Sequence, residues 1–296
     1  MAAMASAMRS LPIPSAPPAG RQTEDGLSAR DFARLSEFIY AYSGIKMPSG
    51  KKTMLEGRIR RRIRATGHPN LAAYCDYLFN EGGLDEEAVQ LIDAVTTNKT
   101  DFFRESRHFD YLSQTVLPAL AAGGKRKLRV WSAACSTGAE PYTLAMVLEE
   151  FSQRQSALDY AILATDLSTD VLDTARAGIY PAELVEPVPP ELRRRYVMES
   201  LDRQRQEVRI HPALRAKVGF GRLNFMDDRY VVGQPMDLIF CRNVLIYFDK
   251  ATQIAVLRRL CDCLTPGGHL FIGHSETIQG ADLPVTQVSH TIFQKS

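Results

Sequence analysis

Two acidic side chains in the sequence follow two short apolar segments, and their positions suit the recognition of a nucleoside. Residues 130–142 read VWSAACSTGAEPY, in which Glu140 stands just before Pro141 at the predicted start of a helix. Asp166 ends the next apolar segment, YAILATD. A carboxylate at the end of the second strand of a nucleotide-binding fold can accept hydrogen bonds from both hydroxyls of a ribose. We therefore take Glu140 and Asp166 as candidate ligand-binding residues.

The turn between the first apolar segment and its helix lacks most of the glycines of a phosphate-binding loop. A dinucleotide fingerprint, G-x-G-x-x-G, would place three glycines here, and the turn contains only Gly138. The carboxylate of Glu140 near the helix start would repel phosphate groups and favour a cationic ligand. Together these features favour S-adenosylmethionine over NAD. Taken alone, they are equally compatible with a small-residue turn in which Asp166 caps the following helix.

The elements that must position these side chains alternate between strands and helices from residue 125 onwards. The segments KLRVWSA, YAILATD, MDLIFC and HLFIG are typical of buried strands, whereas PYTLAMVLEEF, STDVLDTARAG and KATQIAVLRRLCDCL show helical spacing of apolar residues. This alternation predicts an α/β fold with a doubly wound, Rossmann-like parallel sheet over residues 125–296. A proline-rich, charged interruption at about residues 181–222 predicts a small inserted β-subdomain at one edge of the sheet.

The preceding part of the chain is predicted to be helical. Apolar residues recur at helical spacing over 27–95, with breaks at glycine and proline, which indicates an all-helical N-terminal domain. Residues 96–124 are predicted to form a linker and a helix. Residues 1–26 are rich in Ala, Pro, Ser and Met without the apolar run of a signal peptide, so we expect a disordered tail. No segment reaches the roughly 18 apolar residues of a membrane span, and we expect a cytoplasmic protein.

Metal binding is not indicated by the spacing of cysteines and histidines. The five cysteines are scattered, and Cys261-x-Cys263 lies in a helical segment that directs the two thiols to different faces. The six histidines show no metal-ligand spacing. We therefore expect reduced thiols and no metal.

A strongly basic segment lies in the predicted helical domain. Residues 51–64, KKTMLEGRIRRRIR, contain seven basic residues and one acid, with an apolar stripe at Leu55, Ile59 and Ile63. One face of this helix should pack, and the other faces should be positive. A solvated surface, an acidic protein partner and the phosphates of a nucleic acid are all compatible with such a helix. The formal net charge of the whole chain, +2, is too small to indicate a general nucleic-acid-binding protein.

Six segments, taken in chain order, carry a family resemblance: VTTNKTDFFRES at 95–106, WSAACSTGAEPY, ATDLSTDVLDTARAGIY, LNFMDD, FCRNVLIYFDKATQ and GHSE at 273–276. With this combination the chain closely resembles the CheR family of chemotaxis receptor methyltransferases, over about residues 28–296. The resemblance implies S-adenosylmethionine as the cofactor. It also implies methylation of glutamate side chains of chemoreceptors, the methyl-accepting chemotaxis proteins, as the reaction.

The resemblance assigns cofactor-binding positions as well. From the linker, Asn98, Thr100 and Arg104 would reach over the cofactor. The remaining positions follow predicted strands of the sheet: Glu140, Asp166, Asn224, Phe225, Arg242 and Asn243. Of these, Asp166 would bind the ribose, and Asn224 and Phe225 would lie on the adenine side. By composition alone, the linker residues would be a polar cap and a solvated helix face, and Phe225 would be ordinary core packing.

Arg242 is the candidate catalytic residue, at the methyl-transfer end of the predicted crevice. Methyltransferases that act on the amino groups of nucleic-acid bases carry [DN]-P-P-[YF] at this position, where the chain has CRNV. An arginine fork can pair with a carboxylate, so an anionic acceptor is favoured. A glutamate, with a reference pKa of about 4.3, is already ionised at neutral pH and needs no general base. A nucleic-acid methyltransferase and a non-catalytic signalling module remain the alternatives.

The resemblance also implies a partner for the basic segment. It predicts that five basic residues meet the acidic, helical cytosolic domain of a chemoreceptor, with electrostatic steering of the encounter: Lys51, Lys52, Arg58, Arg61 and Arg62. Some family members bind a receptor's C-terminal peptide through a glycine-rich loop of the inserted subdomain. The corresponding loop here, MESLDRQRQEV, has no glycine, so we expect independence from such a tether. We further expect a monomer that binds no nucleic acid and does not insert into the membrane.

Overall fold

The computed structural model describes residues 26–154, 158–202, 204–278, 280 and 282–296. The predicted disordered tail, 1–26, lies outside these residues except for Gly26. Within the described ranges, no helix has both the length and the apolar character needed to cross a membrane.

The N-terminal part is helical, as the spacing of its apolar residues predicts. Four α-helices succeed one another here: α1 (Ala29–Ser43), α2 (Lys52–Thr66), α3 (Leu71–Asn80) and α4 (Leu84–Val95). Ser28 caps α1 by accepting a hydrogen bond from the N–H of Asp31 at 3.0 Å. The apolar stripe of α2, formed by Leu55, Ile59 and Ile63, is buried in the core of this domain. The basic residues of α2 therefore lie on its remaining faces.

Ten strands follow in the described residues: β1 (Lys127–Ala133), β2 (Asp159–Asp166), β3 (Ile179–Pro181), β4 (Val197–Glu199), β5 (Glu207–Ile210), β6 (Val218–Arg222), β7 (Met236–Cys241), β8 (Leu264–Ile272), β9 (Val285–Ser289) and β10 (Ile292–Lys295). Seven of them form one sheet in the order β6-β2-β1-β7-β8-β10-β9. The first five strands of this order run parallel, and β10 is antiparallel to both of its neighbours. The predicted doubly wound sheet is confirmed.

Helices pack against both faces of this sheet. They are α5 (Arg107–Tyr111), α6 (Leu117–Ala122), α7 (Ala139–Arg154), α8 (Thr169–Ala177), α9 (Pro190–Tyr196), α10 (Pro212–Arg215) and α11 (Lys250–Asp262). Val130 of β1 lies in a buried core shared with α7, and the adjacent Trp131 lies in a second core shared with α11. Successive side chains of a strand point to opposite faces, which explains this division. Strand β7 is buried along its whole length, as expected of a central parallel strand.

The strand order reverses between β1 and β7. The chain runs outward from β1 through β2 to β6 and then returns to the other side of β1 at β7. The loops that follow β1 and β7 therefore separate and leave a crevice, which is where open α/β sheets bind ligands. The helical domain is fastened beside this crevice. The N–H of Thr169 donates to Asp93 Oδ1 at 3.0 Å, and the Asn224 amide donates to the Tyr42 carbonyl at 2.6 Å.

The inserted subdomain is a three-stranded antiparallel sheet in the order β3-β5-β4. The strand pairing divides this region differently from the predicted limits of about 181–222. Strand β3 begins at Ile179, and Val218–Arg222 belongs to the main sheet, where it pairs in parallel with β2. A short strand with two glycines specifies its pairing only weakly. The position of α10, which leads the chain back to the main sheet, therefore determines that β6 pairs with β2.

Candidate active site

The crevice at the reversal of strand order is a cavity to which both domains contribute. Its walls come from the helical domain, from the linker after α4, from the loops after β1, β2 and β7, and from the start of α7. All nine predicted site residues line this cavity: Asn98, Thr100, Arg104, Glu140, Asp166, Asn224, Phe225, Arg242 and Asn243. Residues from five separate segments of the sequence are thus brought together around one space.

The loops around the cavity hold non-glycine residues in the left-handed region of backbone space. Ala134 has a φ of +65° and Ser136 a φ of +50°, in the turn where a dinucleotide-binding fold would use glycine. Phe103, Glu105 and Asn243, in the facing loops, also have positive φ. Each such conformation costs about 1 to 3 kcal/mol and persists only where the surrounding contacts impose it. Strain concentrated in this way is typical of a preorganised binding site.

Asp166 closes the turn after β1. Its Oδ2 accepts the N–H of Ser136 at 2.8 Å, and its Oδ1 accepts the N–H of Ser168 at 3.0 Å. Burial raises the pKa of Asp166, while these backbone donors act in the opposite direction. A carboxylate offers about four lone-pair sites, so about two remain for donors in the cavity. This geometry suits the predicted contact with the hydroxyls of a ribose.

The linker residues lie against the turn after β1. Ser136 Oγ donates to the carbonyl of Asn98 at 2.8 Å, and Arg104 Nη1 donates to the carbonyl of Lys99 at 3.2 Å. Thr100 lines the cavity beside them. The linker therefore forms one wall of the cavity. Linker residues that cover a bound cofactor would have to lie in this position.

Gly138 leaves no room for a side chain. It has a φ of +95°, and a β-carbon built on it would lie 2.8 Å from Tyr180 Oη and 2.9 Å from Ala175 Cβ. We predict that Gly138→Ala lowers the free energy of unfolding by about 1 to 3 kcal/mol, through overpacking and backbone strain. Urea unfolding followed by the fluorescence of Trp131, the single tryptophan and a fully buried one, measures this loss.

Gly57→Ala is the matched control for this substitution. Gly57 lies inside α2, and nothing lies within 4 Å of a β-carbon built on it. The change should therefore raise the free energy of unfolding by about 0.5 to 1 kcal/mol, because alanine is the better helix former. If Gly138→Ala were as stable as the wild type, the turn would be less tightly packed than the structure indicates.

Arg242 lies at the end of β7 with its side chain only 2% exposed. Its Nη1 donates to Glu140 Oε2 at 2.9 Å. Its Nη2 donates to Glu105 Oε2 at 3.0 Å and also to the Arg104 carbonyl. Ser132 Oγ donates to the other carboxylate oxygen of Glu140 at 2.7 Å. The guanidinium group thereby ties the end of β7 to the start of α7 and to the linker.

This network changes the role that the sequence suggests for Arg242. The sequence predicts that its fork pairs with the carboxylate of the acceptor, yet both terminal nitrogens are engaged by carboxylates of the protein itself. Among the described residues, its Nε has no hydrogen-bond partner. Three of its five N–H donors are thus engaged by the protein, and Nε is buried. The geometry therefore favours a positioning role for Arg242.

Glu105 is a site residue that the sequence reasoning missed. Its carboxylate accepts hydrogen bonds from Arg242, from Asn243 Nδ2 at 3.0 Å and from the N–H of His274 at 3.3 Å. Burial acts to raise the pKa of Glu105, but the Asn243 amide and the Arg242 charge outweigh it and lower the pKa to about 2. Glu105 is therefore ionised at neutral pH. The acid next to Arg104 in NKTDFFRES was the available signal.

Glu276 is a second missed residue. Its Oε2 accepts the N–H of Gly273 at 2.6 Å and that of Asn243 at 3.1 Å, and its Oε1 accepts the N–H of Leu245 at 2.8 Å. Burial raises the pKa of Glu276, against the effect of these backbone donors. The carboxylate holds the loop after β7 in place, including Asn243 at a φ of +59°. Its signal was the GHSE segment, whose acid the sequence left without a role.

The two adenine-side residues line the cavity in different ways. The Asn224 amide is engaged by the protein, because Nδ2 donates to the Tyr42 carbonyl and Oδ1 accepts the N–H of Met226 at 3.0 Å. Phe225 is largely buried and packs against Tyr230, with ring centroids 5.8 Å apart. Asn224 thus fastens the helical domain to the wall of the cavity, a role that the sequence does not predict.

The sequence predicts no metal site, whereas the fold brings three possible metal ligands together. Glu105, His108 and His274 place one ligand atom each within 4.8 Å of one another. His274 is distant from the other two residues along the chain, so no spacing rule could reveal this cluster. All five cysteines are free, and four of them are buried.

Comparison with known proteins identifies the family. The family model of the CheR methyltransferase all-alpha domain matches residues 30–96, and the model of the CheR methyltransferase SAM binding domain matches residues 98–293. The chain belongs to the CheR methyltransferase family. This membership confirms the family resemblance and the fold class, and it establishes S-adenosylmethionine as the cofactor of this CheR protein.

Relatives cover most of the CheR chain. A chemotaxis protein methyltransferase of Salmonella typhimurium is 39% identical, over 91% of this chain and 91% of its own length. The Escherichia coli protein of the same name is 37% identical over 91% and 92% of the two chains. That of Borreliella burgdorferi is 38% identical over 84% and 89%. The CheR protein is therefore a methyltransferase of the chemotaxis type, and a nucleic-acid methyltransferase is not favoured.

Proposed function

We propose that this CheR protein transfers the methyl group of S-adenosylmethionine to glutamate side chains in the cytosolic helical domain of chemoreceptors, forming methyl esters. The main support for a carboxylate acceptor is the small set of bases among the described residues that line the cavity, whose carboxylates are Asp101, Glu140 and Asp166. Among the described residues no histidine lines it, and both Glu140 and Asp166 are engaged in hydrogen bonds. An amine acceptor would have to lose a proton, whereas a glutamate is already ionised at neutral pH.

The residues around the cavity contribute mainly placement to this reaction. S-adenosylmethionine supplies an activated methyl group on a positively charged sulfur. Asp166 orients the ribose, Phe225 flanks the adenine and Asn98 belongs to the linker that encloses the nucleoside. Holding the acceptor carboxylate in line with the methyl group contributes up to about 7 to 11 kcal/mol. The closed walls also remove water from the nucleophile. The proposed cofactor shell is completed by Thr100, Arg104, Glu140, Asn224, Arg242 and Asn243.

Arg242 assists through charge as well as position. Its guanidinium group neutralises Glu140, which lines the cavity, and Glu105, which lies on the other side of the guanidinium group in the same network. An incoming acceptor carboxylate therefore meets less repulsion than two unpaired acids would cause.

Base lability of the transferred methyl group tests the proposed reaction. The protein is incubated with tritiated S-adenosylmethionine and cytosolic fragments of chemoreceptors, with fragments whose candidate glutamates are replaced by glutamine as the matched control. We expect label on the unaltered fragments only, released as methanol in base, because methyl esters hydrolyse there and methylated amines do not. Base-stable label, or label on nucleic acid in place of the fragments, would overturn the proposal.

The receptor is proposed to dock on α2, although two of the predicted basic residues have internal partners. Arg58 donates to the carbonyls of Val95 and Thr96, the latter at 2.8 Å. Arg62 forms a two-point ion pair with Glu87, with nitrogen-to-oxygen distances of 2.6 and 2.9 Å. These two arginines therefore hold the helical domain and the start of the linker together, and they have fewer donors left for a partner.

Lys51, Lys52 and Arg61 are the better candidates for receptor contact. Lys51 lines the cavity, and its ammonium group lies 5.7 Å from the ring centroid of Tyr247. Helix α2 therefore begins at the mouth of the cavity, and Arg61 is exposed further along it. An acidic receptor helix that lies along α2 would bring its glutamates to this mouth.

Arg61→Glu is predicted to raise the KM for receptor fragments about three- to tenfold at low salt, with little change in kcat. Reversing one exposed charge at a docking surface costs on the order of 1 kcal/mol. The factor should shrink at high ionic strength, because the Debye length falls from about 10 Å at 0.1 M salt to about 3 Å at 1 M. Steady-state kinetics at the two salt concentrations measure both effects.

Arg30→Glu is the control for this charge reversal. Arg30 is exposed in the first turn of α1, and its substitution changes the net charge equally. An equal rise in KM for both variants would indicate a general effect of net charge and would remove the support for docking on α2.

We further propose that this CheR protein acts as a monomer in the cytoplasm and without a receptor tether. The segment that joins β4 to β5 contains no glycine, in contrast to the glycine-rich loop that the resemblance associates with tether binding. Calorimetry with a receptor's C-terminal pentapeptide is expected to show no binding, and tight binding would refute this independence.

A further inference from the structure

His108 is buried beside the cavity, and one of its two ring nitrogens has no hydrogen-bond partner among the described residues. The residue is 1% exposed, and its Nε2 lies 2.9 Å from Thr291 Oγ1. The hydroxyl of Thr291 donates its single proton to the His290 carbonyl at 2.7 Å. Thr291 must therefore accept a hydrogen bond from His108, which places the ring proton on Nε2. The Nδ1 of His108 is then a lone pair, and it has no hydrogen-bond partner among the described residues.

This lone pair faces other electron-pair donors. Glu105 Oε2 lies 3.7 Å from His108 Nδ1, which is too long for a hydrogen bond. The ring of His274 lies beside them, with its centroid 4.9 Å from that of His108. An unpaired acceptor in a buried place is costly, and a carboxylate opposite it increases the cost. A bound cation that takes lone pairs from all three groups would remove this cost.

We propose that Glu105, His108 and His274 form a binding site for a divalent transition-metal ion of the zinc type. Their ligand atoms lie within 4.8 Å of one another. Two imidazoles and one carboxylate form a known zinc ligand set with a fourth position open to water. Ligand atoms around zinc lie about 3.3 Å apart, and the exposed ring of His274 can make this small adjustment.

The surroundings of His108 match those of a metal ligand. A histidine that binds a metal through one nitrogen almost always donates its other N–H to a nearby oxygen, which fixes the tautomer and the ring orientation. Thr291 Oγ1 is that oxygen here, and Thr291 is itself held at a φ of +56°. Thr291 thus fixes the orientation of the His108 ring, in which the Nδ1 lone pair points towards Glu105 and His274.

Occupation of this site would act on the reaction through Glu105. The same oxygen, Oε2, accepts the hydrogen bond from Arg242 Nη2 at 3.0 Å. A metal ion and the guanidinium group are both positive and would compete for this carboxylate. Metal binding should therefore loosen the contact between Arg242 and the linker and inhibit methyl transfer. This consequence rests on the proposed role of Arg242, whereas metal binding itself does not.

Metal titration of the full chain tests the site directly. Calorimetry with Zn²⁺ and visible absorption with Co²⁺ are applied to the wild type and to His274→Ala. The side chain of His274 is exposed, so its removal leaves no cavity in the core. We expect one ion per chain in the wild type and at least a tenfold loss of affinity in His274→Ala. Thr291→Val removes only the hydroxyl that accepts the N–H of His108, and it is expected to weaken metal binding about 10- to 100-fold.

His68→Ala, which removes an imidazole from the helical domain, is the control and should bind metal as the wild type does. Equal affinity of wild type and His274→Ala, or a thiolate-to-cobalt absorption band that reveals cysteine ligands, would overturn the site. Zn²⁺ should also inhibit methyl transfer by the wild type but not by His274→Ala, at equal basal rates. Binding without inhibition would refute the link to Arg242.

Discussion

Replacing Arg242 by alanine is expected to abolish methyl transfer and to lower the free energy of unfolding by about 3 to 5 kcal/mol. The Arg242 side chain is 2% exposed, and those of its partners Glu105 and Glu140 are 13% and 12% exposed. Alanine would leave two neighbouring carboxylates without their counter-ion, and breaking a buried ion pair from one side typically costs this much. Activity is lost because the guanidinium group that joins the end of β7 to Glu140 of α7 and to Glu105 of the linker is removed.

Turnover of receptor fragments and urea unfolding followed by Trp131 fluorescence measure the two effects. Arg242→Lys is the informative partner variant, because it keeps the positive charge but cannot engage two carboxylates with a planar fork. It should recover part of the stability and little of the activity. Arg176→Ala is the control, since it breaks an exposed ion pair with Asp173 and should change stability by less than about 1 kcal/mol. Wild-type turnover in Arg242→Ala would show that Arg242 has no part in the reaction.

Asp166→Ala is expected to weaken the binding of S-adenosylmethionine about 100-fold or more. Two hydrogen bonds from ribose hydroxyls to a carboxylate contribute about 1.5 kcal/mol each at the least, and about 3 kcal/mol corresponds to this factor. The substitution also leaves the N–H groups of Ser136 and Ser168 without their acceptor, which loosens the turn after β1. Calorimetry with the demethylated product, S-adenosylhomocysteine, measures the affinity without turnover.

Asp173→Ala is the matched control for Asp166→Ala. Asp173 is an exposed acid on α8, the helix that follows Asp166, so its loss changes the charge equally without touching the cavity. It should bind the product as the wild type does. Wild-type affinity in Asp166→Ala would place the ribose elsewhere in the cavity.

The sequence by itself determined the helical domain, the alternating strands and helices that follow it, and nine residues that line the cavity. The stripe of Leu55, Ile59 and Ile63 predicts a packed helix, and alternation of strands and helices predicts the doubly wound sheet. Both predictions hold because periodicity records which face of an element is buried. Six of the nine predicted site residues follow strands of the main sheet, and they line one cavity because the carboxyl ends of parallel strands meet at one edge of the sheet.

Only the tertiary structure decided which groups pair with one another. Arg242 meets Glu140 and Glu105 in place of an open acceptor position, and His108 meets His274 across the sheet edge. The same holds for β6, which joins the main sheet although the sequence placed it within the inserted subdomain. Burial patterns are local properties of a segment. An ion pair, a ligand cluster or a strand partner depends on where distant segments meet, and this is set by the packing of the whole chain.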